Sequence, residues 1–239
     1  MLRIIKIFFI YFVIITYSVE LLIFSVSSEQ QKSMVDLKNT RIKIAKKNNV
    51  NFDIRTPEEF FFQTKKKINN LQPAFYYSPL FENYNSFIDA KKNKTIIPFR
   101  GPINSKSISC AEDLKYRLIE NDKYGFKNSN SIYRKKINTM LIGDSYAEGF
   151  CFKRNKDIAG NLNRKGFVTL NLGVASTGPL VSLAILREFG DFFKPKNSIY
   201  IYFEGNDLEG LNWEKKDDNL IQYLKKDYKV NYINKYESV

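Results

Sequence analysis

Histidine is absent from this 239-residue chain. That excludes imidazole-based metal sites and, within the chain itself, any Ser–His or Cys–His catalytic pair. Cysteine occurs only twice, too seldom for a disulfide framework or a four-cysteine zinc site. Glycine (11) and proline (7) are scarce, which excludes collagen-like and proline-rich sequence. Acidic residues are outnumbered, 25 against 38 Lys and Arg, giving a net charge of +13. The basic excess is mostly Lys scattered among Asn, Ile and Tyr, with no Arg-rich helix, RNP-like aromatic motif or zinc-finger spacing. Nucleic-acid binding is therefore not expected, whereas attraction to an anionic polymer or membrane surface fits the charge. A hydrophobic content of 44% and a charged content of 26% exclude whole-chain disorder. The length leaves room for one full domain and part of a second region.

One long apolar run stands out. Residues 4–26 are dominated by Ile, Phe, Leu, Val and Tyr, with Arg3 and Lys6 at the start and Glu20 as the one charge well inside. Lys6 can snorkel toward the interface. About 20 such residues span a bilayer as a helix, so residues 4–26 are expected to form an uncleaved membrane anchor. The alternative is a cleaved signal peptide, with Ser25 and Ser27 as small residues near the cut. Lys32, Lys38, Arg41, Lys43, Lys46 and Lys47 follow the run, and the positive-inside rule alone would keep the C-terminal part in the cytoplasm.

Residues 27–51 are polar and Lys-rich, with a weak helical pattern in Met34, Leu37, Ile42 and Ile44, and read as a stalk. Residues 52–135 carry aromatic clusters separated by Pro73, Pro79, Pro98 and Pro102, and read as loop-rich structure packed on a neighbour. From residue 136 to 239 the pattern becomes regular. It predicts strands at Ile137–Ile142, Val168–Val174 and Ser198–Phe203. It predicts helices at Asp157–Lys165, Pro179–Phe193 and Asn219–Lys226. This alternation is the signature of a parallel sheet with covering helices, in which ligands bind beyond the carboxyl ends of the strands.

The polar residues of interest fall at those ends. The first strand runs into Gly143-Asp144-Ser145, followed by Gly149. The second runs into a segment from Asn171 that contains Ser176 and Gly178. The third runs into Gly205-Asn206-Asp207. Each alone is compatible with a strand-to-helix turn capped by Asp or Ser. A Ser on such a turn is presented to solvent, and helix-end amides stabilise developing negative charge.

Taken in order and spacing, the three blocks resemble the SGNH/GDSL hydrolase superfamily. The resemblance implies a three-layer α/β/α sandwich with a parallel sheet. It implies Ser145 as nucleophile, with Asp144 supporting its turn. Oxyanion donors would come from the Ser145 backbone, the second block and the Asn206 side chain. Gly143, Gly149, Gly205 and Asp207 complete the motifs. In the second block the family's glycine slot holds Ser176, and Gly178 lies two residues later; either backbone N–H is a candidate donor. The family's fourth block, Asp-x-x-His, has no counterpart, since no His follows Ser145. The sandwich is thus expected to be incomplete toward the C-terminus. No cofactor and no metal are implied.

Upstream, Asp122-Lys123-Tyr124-Gly125-Phe126-Lys127-Asn128 and the Cys two residues after Gly149 are similar to a subgroup of membrane-anchored bacterial SGNH proteins of surface-polysaccharide type. That likeness implies ester chemistry on acylated glycans or lipids outside the cytoplasm. Two readings stay open: an ester hydrolase or acyl-transfer protein, and a non-catalytic, membrane-tethered glycan-binding module that keeps the pocket without the base. Long translocated domains override flanking charge. The expected location is therefore the bacterial inner membrane with the C-terminal part periplasmic or extracellular, and there Cys110 and Cys151 are expected to bridge.

Overall fold

A computed structural model of the chain describes residues 2–50, 53, 55, 57–73, 100–108, 115–231 and 233. The chain divides into two compact units, Met1–Ile54 and Arg55–Val239.

The first unit is built on one helix, α1 (Leu2–Lys47). At 1.5 Å per residue its 46 residues extend about 69 Å. The apolar run and the Lys-rich segment after it are thus one continuous helix. Within it Lys6–Ile23 has a mean hydropathy of 2.0 and none of it is buried, so this stretch is long and apolar enough to cross a bilayer. Its hydroxyls suit an apolar setting: Thr16 and Ser18 donate to the carbonyls of Phe12 and Ile14, both at 2.8 Å.

The second unit is mixed α/β. It begins with α2 (Pro57–Lys65) and a small sheet of β1 (Leu71–Gln72), β2 (Lys106–Ile108) and β3 (Leu118–Glu120). β1 pairs parallel and β3 antiparallel with β2. A 3-10 turn at Asn130–Arg134 leads into the main sheet. That sheet contains β4 (Thr139–Gly143), β5 (Thr169–Asn171) and β6 (Asn197–Ile201) in the order β5-β4-β6, all parallel. The helices are α3 (Ser145–Glu148), α4 (Ile158–Arg164), α5 (Pro179–Phe193), α6 (Asp207–Glu214) and α7 (Asp218–Gln222).

Local chemistry explains most boundaries. Asp157 and Lys165, the expected ends of the helix between the first two strands, cap α4; Asp157 accepts from Gly160 N–H at 2.7 Å. α5 has the expected limits, with Pro179 in its first turn and Lys194 in a left-handed conformation at its end. β5 is shorter than its apolar run. Even so, Leu172 and Val174 still donate to the Leu141 and Gly143 carbonyls, so the chain tracks β4 to its end.

β4 is buried at every position and alternates between two clusters. Met140 and Ile142 join the larger core with Leu170, Val181, Ile185 and Phe189, whereas Leu141 packs with Ala147 and Ala159. Tyr124 and Phe126, from the upstream region, complete the larger core. β6 is different: it is exposed along most of its length, and Ile199 and Tyr200 in it, like Tyr202 and Phe203 just after it, remain in contact with solvent. Strands of a parallel sheet are ordinarily covered on both faces.

Candidate functional site

The three motif blocks lie on loops that follow the carboxyl ends of three adjacent parallel strands, β4, β5 and β6. This is the end of a parallel sheet where ligands bind.

The first loop is narrow. Gly143 has a φ of 141°, and a Cβ there would stand 2.5 Å from the Ile201 carbonyl oxygen, so only glycine lets β4 end against β6. Asp144 is buried and caps α3 by accepting from Tyr146 N–H at 2.9 Å. Ser145 is the first residue of α3 and half-buried; its hydroxyl donates to Asp144 Oδ2 across a long 3.4 Å. Gly149 ends α3 at a φ of 68°, pressed against the Asp157 side chain. Lys127, almost fully buried, donates to the Gly149 and Phe152 carbonyls and pairs with Asp157 at 3.8 Å. Burial lowers the Lys127 pKa against the pull of Asp157.

The second loop is fastened at both ends. Glu148, three residues after Ser145, accepts from Ala175 N–H at 2.6 Å. Glu214, on α6, accepts from Gly178 N–H at 2.5 Å and from Leu180 N–H at 2.8 Å. Burial pushes both carboxyls up to about 7. The two candidate donors therefore differ. The Gly178 N–H is already committed to Glu214. Ser176 is exposed at a φ of 61°, the left-handed geometry that glycine favours, and its N–H makes no hydrogen bond among the described residues.

The third loop presents Asn206 at the N-terminus of α6, exposed and without a side-chain capping bond. Gly205 packs under the Phe203 ring. Asp207 is buried and accepts from Phe203 N–H at 2.8 Å; burial raises its pKa and the nearby Asp144 raises it further.

The upstream motif is a brace for these loops. Asp122 accepts from Tyr124 N–H, Phe126 N–H, the Asn128 amide and the Tyr133 hydroxyl. Asn128 in turn pairs with both the N–H and the carbonyl of Asn171, 43 residues away, as a strand partner would. The Asn171 side chain accepts from Gly173 N–H and donates to the Glu148 carbonyl. Gly173 lies so close to α3 that a Cβ would stand 2.2 Å from Glu148 N. The sequence motifs gave no role to Glu148, Glu214, Lys127 or Gly173. Two of them are buried charged residues whose partners come from distant loops. The signal that points to Glu148 is its place within the first block, one residue before Gly149.

A groove of about 610 Å³ opens beside Ser145, with Tyr146, Phe150, Phe152 and Ile158 in its walls. Cys151 also lines it and is disulfide-bonded. Cys110, the other cysteine of the sequence, lies outside the described residues. Alkylation of the denatured, unreduced protein is expected to label no thiol, and to label two after reduction. Two thiols reactive without reductant would remove the bridge. Among the described residues no group of three or more His, Cys, Asp or Glu side chains is arranged to hold a metal ion.

The chain matches no family model, no curated protein and no solved structure.

Proposed function

We propose that this protein is an SGNH/GDSL-type serine ester hydrolase or acyl-transfer protein, built on a three-layer sandwich. It is anchored in the bacterial inner membrane by residues 4–26 and acts outside the cytoplasm on an acylated surface glycan or lipid. One observation carries the reading. The Ser145 hydroxyl, the Ser176 N–H and the Asn206 side chain, the last two without a hydrogen-bond partner among the described residues, occupy neighbouring loops at the carboxyl end of one parallel sheet. Ser145 Oγ would attack the ester carbonyl. Ser145 N–H, Ser176 N–H and the Asn206 amide would stabilise the oxyanion as it forms. The alcohol leaves with a proton, and water resolves the acyl-enzyme. The disulfide at Cys151 is in keeping with export.

The chain holds no imidazole to take the Ser145 proton. That absence is also what favours the second reading, a membrane-tethered glycan-binding module. The test separates them. The full chain in nanodiscs is expected to be nearly inert toward p-nitrophenyl acetate. Added imidazole is expected to raise acylation at Ser145 on the order of 10²-fold, read by peptide mass mapping, with Ser145→Ala abolishing it. A Ser145 that stays unmodified in imidazole would leave the binding module. Robust Ser145-dependent turnover without imidazole would show a base within this chain.

A further inference from the structure

We infer that the groove between α3 and α4 receives the acyl part of the ester, and that this acyl group is an apolar chain longer than acetyl. The inference rests on the ester reading above and specifies its substrate class.

Ser145 is itself part of the groove wall, so whatever fills the groove lies beside the reacting carbon. The volume of about 610 Å³ is that of a ligand cleft and far more than an acetyl group occupies. The walls are apolar and left open to solvent: Tyr146 is 56% exposed, Phe152 59% and Ile158 38%. Contiguous apolar surface of this kind beside a polar site marks a place for an apolar ligand. Tyr146 is not a loose side chain, since its ring packs on Phe203 at 4.7 Å between centroids.

Two polar side chains of the groove, Asp157 and Asn161, are not offered to a sugar. Asp157 is occupied by Lys127 and by the Gly160 N–H. The Asn161 amide donates to the Asp157 carbonyl, and its oxygen accepts from Arg164. A glycan ring needs several free donors and acceptors, and apart from Ser145 only the Tyr146 hydroxyl and the exposed Lys156 amine are uncommitted among the described side chains of this groove. The free donors of the site, on Ser176 and Asn206, belong to the other loops, where the carbonyl oxygen would point. An alkyl chain asks nothing of the groove but burial, which favours each added methylene about two- to fourfold in a half-open cleft.

The experiment is imidazole-supported acylation of Ser145 in the full chain in nanodiscs, with p-nitrophenyl acetate, butyrate, hexanoate and octanoate below their aggregation limits. The readout is the initial rate of acyl-Ser145 formation by peptide mass mapping. The octanoyl-to-acetyl ratio, six methylenes apart, is expected to exceed about 60-fold and to fall toward one in Phe152→Ser and, separately, in Ile158→Ser. Comparing ratios between variants cancels the partition of longer esters into lipid. A flat series, or a ratio that both variants leave unchanged, overturns the inference while the ester reading stands. No acyl-Ser145 at any chain length overturns the ester reading and the inference with it.

Discussion

Asp122→Ala is expected to lower the stability of the Arg55–Val239 unit by about 3–5 kcal/mol, enough to unfold much of it near physiological temperature. The substitution leaves two backbone N–H groups, the Asn128 amide and the Tyr133 hydroxyl without their acceptor. Each unsatisfied buried donor costs about 1–3 kcal/mol, and partial access of water reduces the sum. Damage is expected to spread along the brace. Asn128 released from Asp122 no longer holds Asn171, and Asn171 no longer aligns Gly173 with α3. The measurement is a urea or thermal unfolding midpoint for the full chain in detergent, beside Asp122→Asn, which keeps one acceptor oxygen. Asp122→Asn is expected to fall between the parent and Asp122→Ala. A loss below about 1 kcal/mol in the alanine variant would show that the brace contributes little.

Stability is expected to be greater at pH 5 than at pH 7.5, the reverse of the usual behaviour of paired carboxylates. In Glu214 and Glu148 burial outweighs the backbone hydrogen bonds, carrying the carboxyl from 4.5 to about 7. Between those values the folded protein holds protons that the unfolded chain has released. Raising the pH through that window therefore removes stability. The effect is fully developed below about 4.5 and gone above about 7. Glu214, which is 1% exposed, accounts for about 3 kcal/mol of it, and half-buried Glu148 adds a smaller amount of the same sign. Asp122 and Asp207 are shifted in the same direction. Unfolding midpoints at pH 5.0, 6.0, 7.0 and 7.5 and fixed ionic strength check this, with Glu214→Gln as the control. The variant is expected to flatten the profile by Glu214's share. A parent whose stability is level or rises across that range would overturn the assignment.

Local signals in the chain determined a good deal. An apolar run within Lys6–Ile23 is helical because nothing in it breaks a helix, and its composition suits a bilayer. Pro179 and the Lys194-Pro195 pair delimit α5, and Asp157 and Lys165 delimit α4, because capping and proline geometry act over a few residues. Strand–helix alternation from Thr139 onward requires parallel strands, and parallel order sends Ser145, Ser176 and Asn206 to one end of the sheet. The helix limits follow from chemistry within a turn or two of the residue concerned, and the strand order from the alternation of elements along the chain.

Contacts between distant parts of the chain decided the rest. Ser176 and Gly178 are two residues apart, and no local rule separates them as donors. Glu214, 36 residues beyond Gly178, occupies one N–H, while the other has no partner among the described residues. Asn128 acts as a strand partner for Asn171 only once the Asp122 turn has folded against the sheet. Gly173 owes its necessity to the approach of α3, and the two carboxyls near 7 owe their shift to burial among groups from other loops. Desolvation and close approach depend on which surfaces meet in three dimensions. A sequence records the groups able to take part, and packing selects which of them remain free to meet a ligand.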